Sequence, residues 1–205
     1  MKPLLFILFL PLTILAQEKK EVLGLKIGYG FTSIIFDEAA DPSFVYFGLT
    51  FPGNTFGSHG AEFGVSKSLS ERVYIDMSFS SFSGKDLRAE YDENEHWYNM
   101  KGFQVPVTVN YLIRNPTKRL RFNIGGGFQY LKAHLEQYEI VYEGTDQTRI
   151  EKGDFKISEF QLSARPGIQF RIIPNLFAAL IYRLSISTNG RYSDNPSLSL
   201  RYSFH

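Results

Sequence analysis

The stretch Ser197-Leu198-Ser199-Leu200-Arg201-Tyr202-Ser203-Phe204 alternates strictly between polar and apolar residues. Leu198, Leu200, Tyr202 and Phe204 share one face; Ser197, Ser199, Arg201 and Ser203 share the other. Side chains along a strand repeat every two residues, so this segment is a strand with one face for an apolar medium and one for a polar medium. No open sheet edge survives in lipid, so such a strand in a membrane must pair back onto the first strand of a closed barrel. The architecture this predicts is an outer-membrane β-barrel.

Seven further segments carry the same alternation, at about 22–36, 59–69, 73–82, 100–113, 120–132, 157–172 and 176–187. In the first, Leu23, Leu25, Ile27, Tyr29 and Phe31 oppose Gly24, Lys26, Gly28, Gly30 and Thr32. In the sixth, Phe160, Leu162, Ala164, Ile168 and Phe170 oppose Gln161, Ser163, Arg165, Gly167, Gln169 and Arg171. With 197–204 the count is eight, an even number that closes an up-and-down barrel. The connections alternate too. Short turns follow the second, fourth and sixth strands. Longer stretches, 37–58, 84–99, 134–156 and 188–196, follow the others. Short periplasmic turns and long outer loops are the habit of outer-membrane barrels. Within 134–156, Glu139 to Tyr142 is a candidate extension of the strands beyond the membrane.

Eight alternating strands also suit a barrel in water with its apolar face inward. The polar face decides between them. A water-facing surface is usually dense in Lys and Glu, whereas here it is mostly Gly, Ser, Asn, Gln and Arg. Glycine weakens a strand, but inside a narrow lumen it makes room for long arginines. Aromatics gather at both ends of the apolar face. Phe31, Phe63, Phe79, Phe103, Phe128, Tyr130 and Phe160 lie toward the long loops; Tyr111, Phe122, Phe170, Tyr202 and Phe204 lie toward the short turns. Those are the expected interfacial girdles.

The chain begins with Lys2, an apolar run Leu4 to Leu10, and Ala16 ahead of Gln17-Glu18-Lys19-Lys20. That is the pattern of a cleaved secretory leader over 1–16, leaving a barrel domain over 17–205. The run is shorter than the ~20 apolar residues a spanning helix needs. Cysteine is absent, which excludes lipoprotein anchoring and disulfides. Without Lys2 the chain holds 21 basic and 21 acidic side chains, a balance that argues against a nucleic-acid partner.

The leader, the eight strands and the closing Leu-x-Leu-x-Tyr-x-Phe resemble small bacterial outer-membrane barrels of the OmpA/OmpX type, and also the broader PorT-like β-barrel family. The resemblance rests on pattern over nearly the whole chain. It implies a bacterial outer-membrane location, outer-membrane lipid as surroundings, and a terminal strand read by the barrel-assembly machinery. Tyr202 and Phe204 match that assembly signal, and His205 departs from it.

An eight-stranded interior is filled by side chains rather than by a wide pore. Its expected charges are Lys26, Arg121, Arg165, Arg171, Arg183 and Arg201 against Glu62 and Asp76. Charges there must pair or meet water. One reading is a structural polar core, leaving a structural or interaction role with an extracellular or secretion partner. Another is a narrow, anion-favouring channel. A third is a lipid-modifying enzyme, for which Ser58, His59 and Glu62 are the nearest set. Ser58 and His59 are neighbours on a strand and face opposite ways, and His96, His134 and His205 fall at strand ends or in loops. No catalytic residue is assigned. The acidic run Asp92-Glu93-Asn94-Glu95-His96 lacks the glycine and ligand spacing of an EF-hand loop, and no cofactor or metal is expected. Phe44, Tyr46, Phe47 and Phe51 make an apolar segment in the first outer loop. It is a candidate contact surface, or a cover folded against Trp97 and Tyr98.

Overall fold

The computed structural model describes residues 23–36, 44–46, 49–51, 55–91, 94–113, 119–143 and 146–204. Its elements are β1 (Leu23–Ile35), β2 (Phe44–Tyr46), β3 (Leu49–Phe51), β4 (Thr55–Ser68), β5 (Val73–Tyr91), β6 (Asn94–Leu112), β7 (Leu120–Glu143), β8 (Asp146–Ile173), β9 (Leu176–Ser187) and β10 (Tyr192–Phe204). Eight of these close a barrel in the order β1-β10-β9-β8-β7-β6-β5-β4, while β2 and β3 form a separate hairpin. Every pairing is antiparallel, and closure joins Leu23 to Phe204 and Leu25 to Tyr202. The proposed leader lies outside the described residues, as do Phe47 and His205.

The strands run further than their alternation suggests. β5 and β6 meet through residues 92–93, and β7 and β8 through 144–145, so most of 84–99 and 134–156 is paired strand rather than loop. β10 starts at Tyr192, which shortens the last connection to 188–191. The matter projecting from this end is mainly sheet.

The reason is a change of sign along the barrel. On β8 the outer face reads Phe160, Leu162, Ala164, Pro166, Ile168, Phe170 and Ile172, then switches to Ser158, Lys156, Asp154 and Lys152. On β7 it passes from Phe128 and Tyr130 to Lys132 and His134. The inner face switches the opposite way at the same height. Gln129 gives way to Leu131, Ala133 and Leu135 on β7, Ser80 to Phe82 on β5, and Thr32 to Ile34 on β1. Below the switch the barrel is apolar outside and polar inside, as a bilayer demands. Above it, Ile34, Phe36, Phe56, Phe82, Met100, Leu131, Leu135 and Ile157 form an apolar core of the kind a protein builds in water.

Two numbers place the boundary. Thirteen residues of β8, from Phe160 to Ile172, at ~3.3 Å each and tilted by ~45°, span roughly 30 Å, close to the ~25 Å apolar band of such barrels. The aromatic girdle sits on the switch itself. Phe79 stacks on Phe103 with centroids 5.6 Å apart, Phe103 meets Tyr130 at 6.0 Å and Tyr130 meets Phe160 at 5.2 Å, an unbroken string across β5 to β8. On β1 and β4, His59 joins it between Tyr29 and Phe31, at 5.9 and 5.0 Å.

Candidate functional site

The lumen is built in layers. The central one is ionic. Lys26 Nζ donates to Glu62 Oε1 and to Asp76 Oδ1, both at 2.9 Å. Glu62 Oε1 also accepts from Ser78 Oγ at 2.6 Å and from Arg183 at 3.1 Å. Arg165 lies 3.6 Å from Asp76 Oδ2 and donates to Asn110 Oδ1 at 2.6 Å. All five ionic side chains are at most 2 % exposed. Strand alternation aims these residues inward, and glycines clear the space. A Cβ on Gly125 would run into Asn110 Oδ1, and one on Gly64 would lie 3.1 Å from Lys26 Cε.

Above the ions comes an amide layer. Gln129 donates to Gln161 at 2.6 Å and to Ser193 at 3.1 Å, while Asn195 donates to Thr32 Oγ1 at 2.9 Å. Above that lies the apolar core. The lumen between the girdles is thus filled by ion pairs and amides and capped by hydrocarbon.

The structure does not gather all the expected lumen charges into one network. Lys26, Glu62, Asp76, Arg165 and Arg183 meet at the centre. Arg121, Arg171 and Arg201 line a separate cavity of about 320 Å³ at the short-turn end. Tyr74 connects the two levels. Its hydroxyl accepts from Gln169 at 2.7 Å and from Arg165 at 3.4 Å, and the Arg201 guanidinium lies 4.8 Å from its ring.

The remaining candidates separate. Ser58 is buried in the lumen while His59 faces outward at the girdle, so a strand's two faces hold them apart. His134 and His96 sit on the projecting strands, His134 bonded to Asp154 at 2.5 Å and His96 3.8 Å from Glu139. Among the described residues no group of His, Cys, Asp and Glu is arranged to hold a metal ion. Phe44, Tyr46 and Phe51 fall on the β2–β3 hairpin, where Phe44 pairs with Phe51 and Tyr46 with Leu49. Tyr98 packs on Phe56 at 5.2 Å and donates to the Gly57 carbonyl, and Trp97 lies under the Lys85 ammonium at 4.5 Å.

No family model and no curated protein matches the sequence. Solved structures do. Neisserial surface protein A superposes with a TM-score of 0.53 at 8 % identity, over 91 % of this chain and 100 % of that one. Ail, the attachment invasion locus protein of Yersinia pestis, superposes at 0.52 with 14 % identity, over 91 % and 100 %. The fold is that of a small outer-membrane barrel of the OmpA/OmpX type. The outer membrane protein OprG of Pseudomonas aeruginosa agrees, at a TM-score of 0.50 and 10 % identity, over 89 % of this chain and 96 % of that one. At these identities the likeness carries architecture alone. Barrels of this architecture stand in the bacterial outer membrane with their short turns toward the periplasm and their long hairpins outward; in this chain the short turns lie at the end that carries the start of β1 and the end of β10.

Proposed function

We propose that this barrel does not conduct and acts as an interaction protein through its extracellular strands. The observation that carries this reading is the outer edge of β8. Pairing with β9 stops at Gln161↔Ser187, yet β8 runs on to Asp146, paired there only with β7 among the described residues. At ~3.3 Å per residue, 146–160 presents nearly 50 Å of strand edge. Such an edge is a template onto which a partner segment adds as a further strand. Lys152, Asp154 and Lys156 along it disfavour indiscriminate pairing between copies. The β2–β3 hairpin, whose strands carry Phe44, Tyr46 and Phe51, is a second candidate surface on the same side.

The channel and enzyme readings have less behind them. An ion crossing the barrel meets the central ionic layer and then the apolar core, two barriers in series. A lipid-modifying site built on Ser58 and His59 lacks a common face, and we read the protein as non-enzymatic. We further propose that residues 1–16 are removed on export and that Tyr202 and Phe204 address the chain to the barrel-assembly machinery. Phe204 packs edge-on against Tyr202, with centroids 4.9 Å apart, at the strand that closes the ring. Phe204→Ala is expected to lower the yield of folded, heat-modifiable barrel severalfold in cells, read by comparing boiled and unboiled samples on a gel. An unchanged yield removes the assembly role.

The interaction reading is tested by replacing residues 138–151 with a two-residue Asn-Gly turn, which favours a tight hairpin. The shortened barrel should keep its heat-modifiable mobility. A photo-crosslinker at position 156 should give a discrete adduct in intact cells with the full barrel and none with the shortened one. Planar bilayers should record no unitary conductance from either. Steady picosiemens conductance from the full barrel, or an adduct indifferent to the deletion, rejects the reading.

A further inference from the structure

The central ionic layer does not balance. Lys26, Arg165 and Arg183 face Glu62 and Asp76, three positive charges against two, each side chain at most 2 % exposed. The next acid above them on β8, Glu159, is paired with Arg191 at 3.0 Å and leaves the excess as it is. A buried charge without a counter-charge is costly. A guanidinium does not shed its proton to escape that cost.

Unused donors lie beside the excess charge. Ser163 and Ser185 are a cross-strand pair on β8 and β9. Arg165 and Arg183 take the next inward positions on those two strands, one step toward the periplasm. The terminal nitrogens of both arginines are engaged: Arg183 donates to Glu62 and Asn195, and Arg165 to Asn110 and Tyr74. Their Nε–H groups are buried without an acceptor, and the Ser163 and Ser185 hydroxyls are buried without a partner. Buried donors left unmade cost free energy. Four adjacent inward positions therefore carry two N–H and two O–H groups that lack the same thing. One excess positive charge calls for a monovalent anion. Walls at most 8 % exposed admit a small one. A carboxylate needs a planar fork, whereas a halide is spherical and accepts from several directions at once.

We infer that the β8–β9 wall of the lumen binds one chloride ion, held by the Nε–H groups of Arg165 and Arg183 and the hydroxyls of Ser163 and Ser185. The ion is the counter-charge of the ionic layer. The Gln129–Gln161 amides and the apolar core close the lumen above it. Chloride is therefore taken up as the barrel closes and does not pass through, so the site stands whether or not the extracellular strands bind a partner.

The test is diffraction from crystals of the whole barrel, refolded and grown in sodium bromide, with data collected at the bromine absorption edge. One anomalous peak is expected inside the lumen, within hydrogen-bond reach of both Nε atoms and both hydroxyls. The double substitution Ser163→Ala, Ser185→Ala should abolish it. Ser80→Ala removes a hydroxyl that is equally buried and unpartnered but lies on β5, across the lumen, and should keep it. An unboiled gel confirms that each variant is folded. A second measurement is made in detergent solution at constant ionic strength. The native barrel, refolded and then unfolded by urea in one salt throughout, should unfold at least tenfold more slowly in sodium chloride than in sodium gluconate, whose anion is too large for the site. That ratio should fall below twofold in the double alanine variant and hold in Ser80→Ala. Absence of a lumen peak, a peak that survives the double substitution, or native unfolding rates indifferent to the anion overturns the site.

Discussion

Glu62→Gln is expected to destabilise the barrel by about 3–5 kcal/mol, the usual cost of removing one partner from a buried ion pair. The change is nearly isosteric, so the loss reports charge rather than shape. Glu62 Oε1 receives Lys26, Arg183 and Ser78 at 2.9, 3.1 and 2.6 Å. With the carboxylate gone, the central layer keeps three cations, Lys26, Arg165 and Arg183, against Asp76 alone. Adding Lys26→Met returns the layer to the net charge it has in the native chain. The double variant should therefore be more stable than Glu62→Gln by itself, although it lacks one more hydrogen-bonding group. Urea unfolding in detergent micelles, followed by Trp97 fluorescence and by gel mobility, measures both. If Glu62→Gln leaves the midpoint where it was, water in the lumen is solvating those cations and the lumen is not packed shut.

The eight strands were legible because a bilayer imposes one sign of alternation on every crossing. Leu198 to Phe204 and Phe160 to Ile172 carry it without interruption, and β9 begins and ends where its alternation does, at Leu176 and Ser187. Charge placement was legible for the same reason, since parity alone puts Lys26, Glu62, Asp76 and Arg183 inside. Height was not. Parity says which face a residue takes, not how far along the axis its head group reaches. The division of the arginines into a central pair and a periplasmic cluster therefore waited for the structure. Arg201 shows why: its backbone pairs with Lys26, yet its guanidinium lies against Tyr74 and Phe177.

The projecting sheet was hidden by a slip of phase. On β7 the apolar residues occupy even positions from Leu120 to Tyr130 and odd positions from Leu131 to Leu135. A scan for one continuous alternation stops at that step and takes the rest of the strand for polar loop. The adjacent apolar pair at the switch on β7, Tyr130-Leu131, was the available signal. It marks where the outside medium changes from lipid to water while the strand goes on. The choice between a membrane barrel and a barrel with an apolar interior, posed by the sequence as alternatives, is resolved by height: the molecule is the first between its girdles and the second above them.

Leu135→Asp makes that claim measurable. If 134–156 were solvated loop, the substitution would fall within ~0.5 kcal/mol, as surface changes usually do. Leu135 is instead 0 % exposed, in a core with Phe56, Phe82, Met100 and Leu131. Truncating a buried leucine costs about 2–5 kcal/mol, and an unpaired carboxylate there adds a desolvation penalty. The damage should stay local, because the strands between the girdles are held by lipid and by the lumen network, and stability need not be uniform along a fold. Hydrogen exchange resolves this. Amides over 131–137 of β7 and 98–104 of β6, which pair with one another, should exchange at least a hundredfold faster than in the native chain. Amides over 121–127, on the same β7 strand within the membrane band, should be unchanged. Lys132→Asp, on the outer face of the same strand, should leave both sets alone. Equal exchange in the native and Leu135→Asp barrels would return this region to loop and remove the apolar cap from the lumen. Loss of protection throughout β7 would mean that the core above the membrane and the ionic layer within it are one cooperative unit, and that the switch in face polarity divides the medium without dividing the fold.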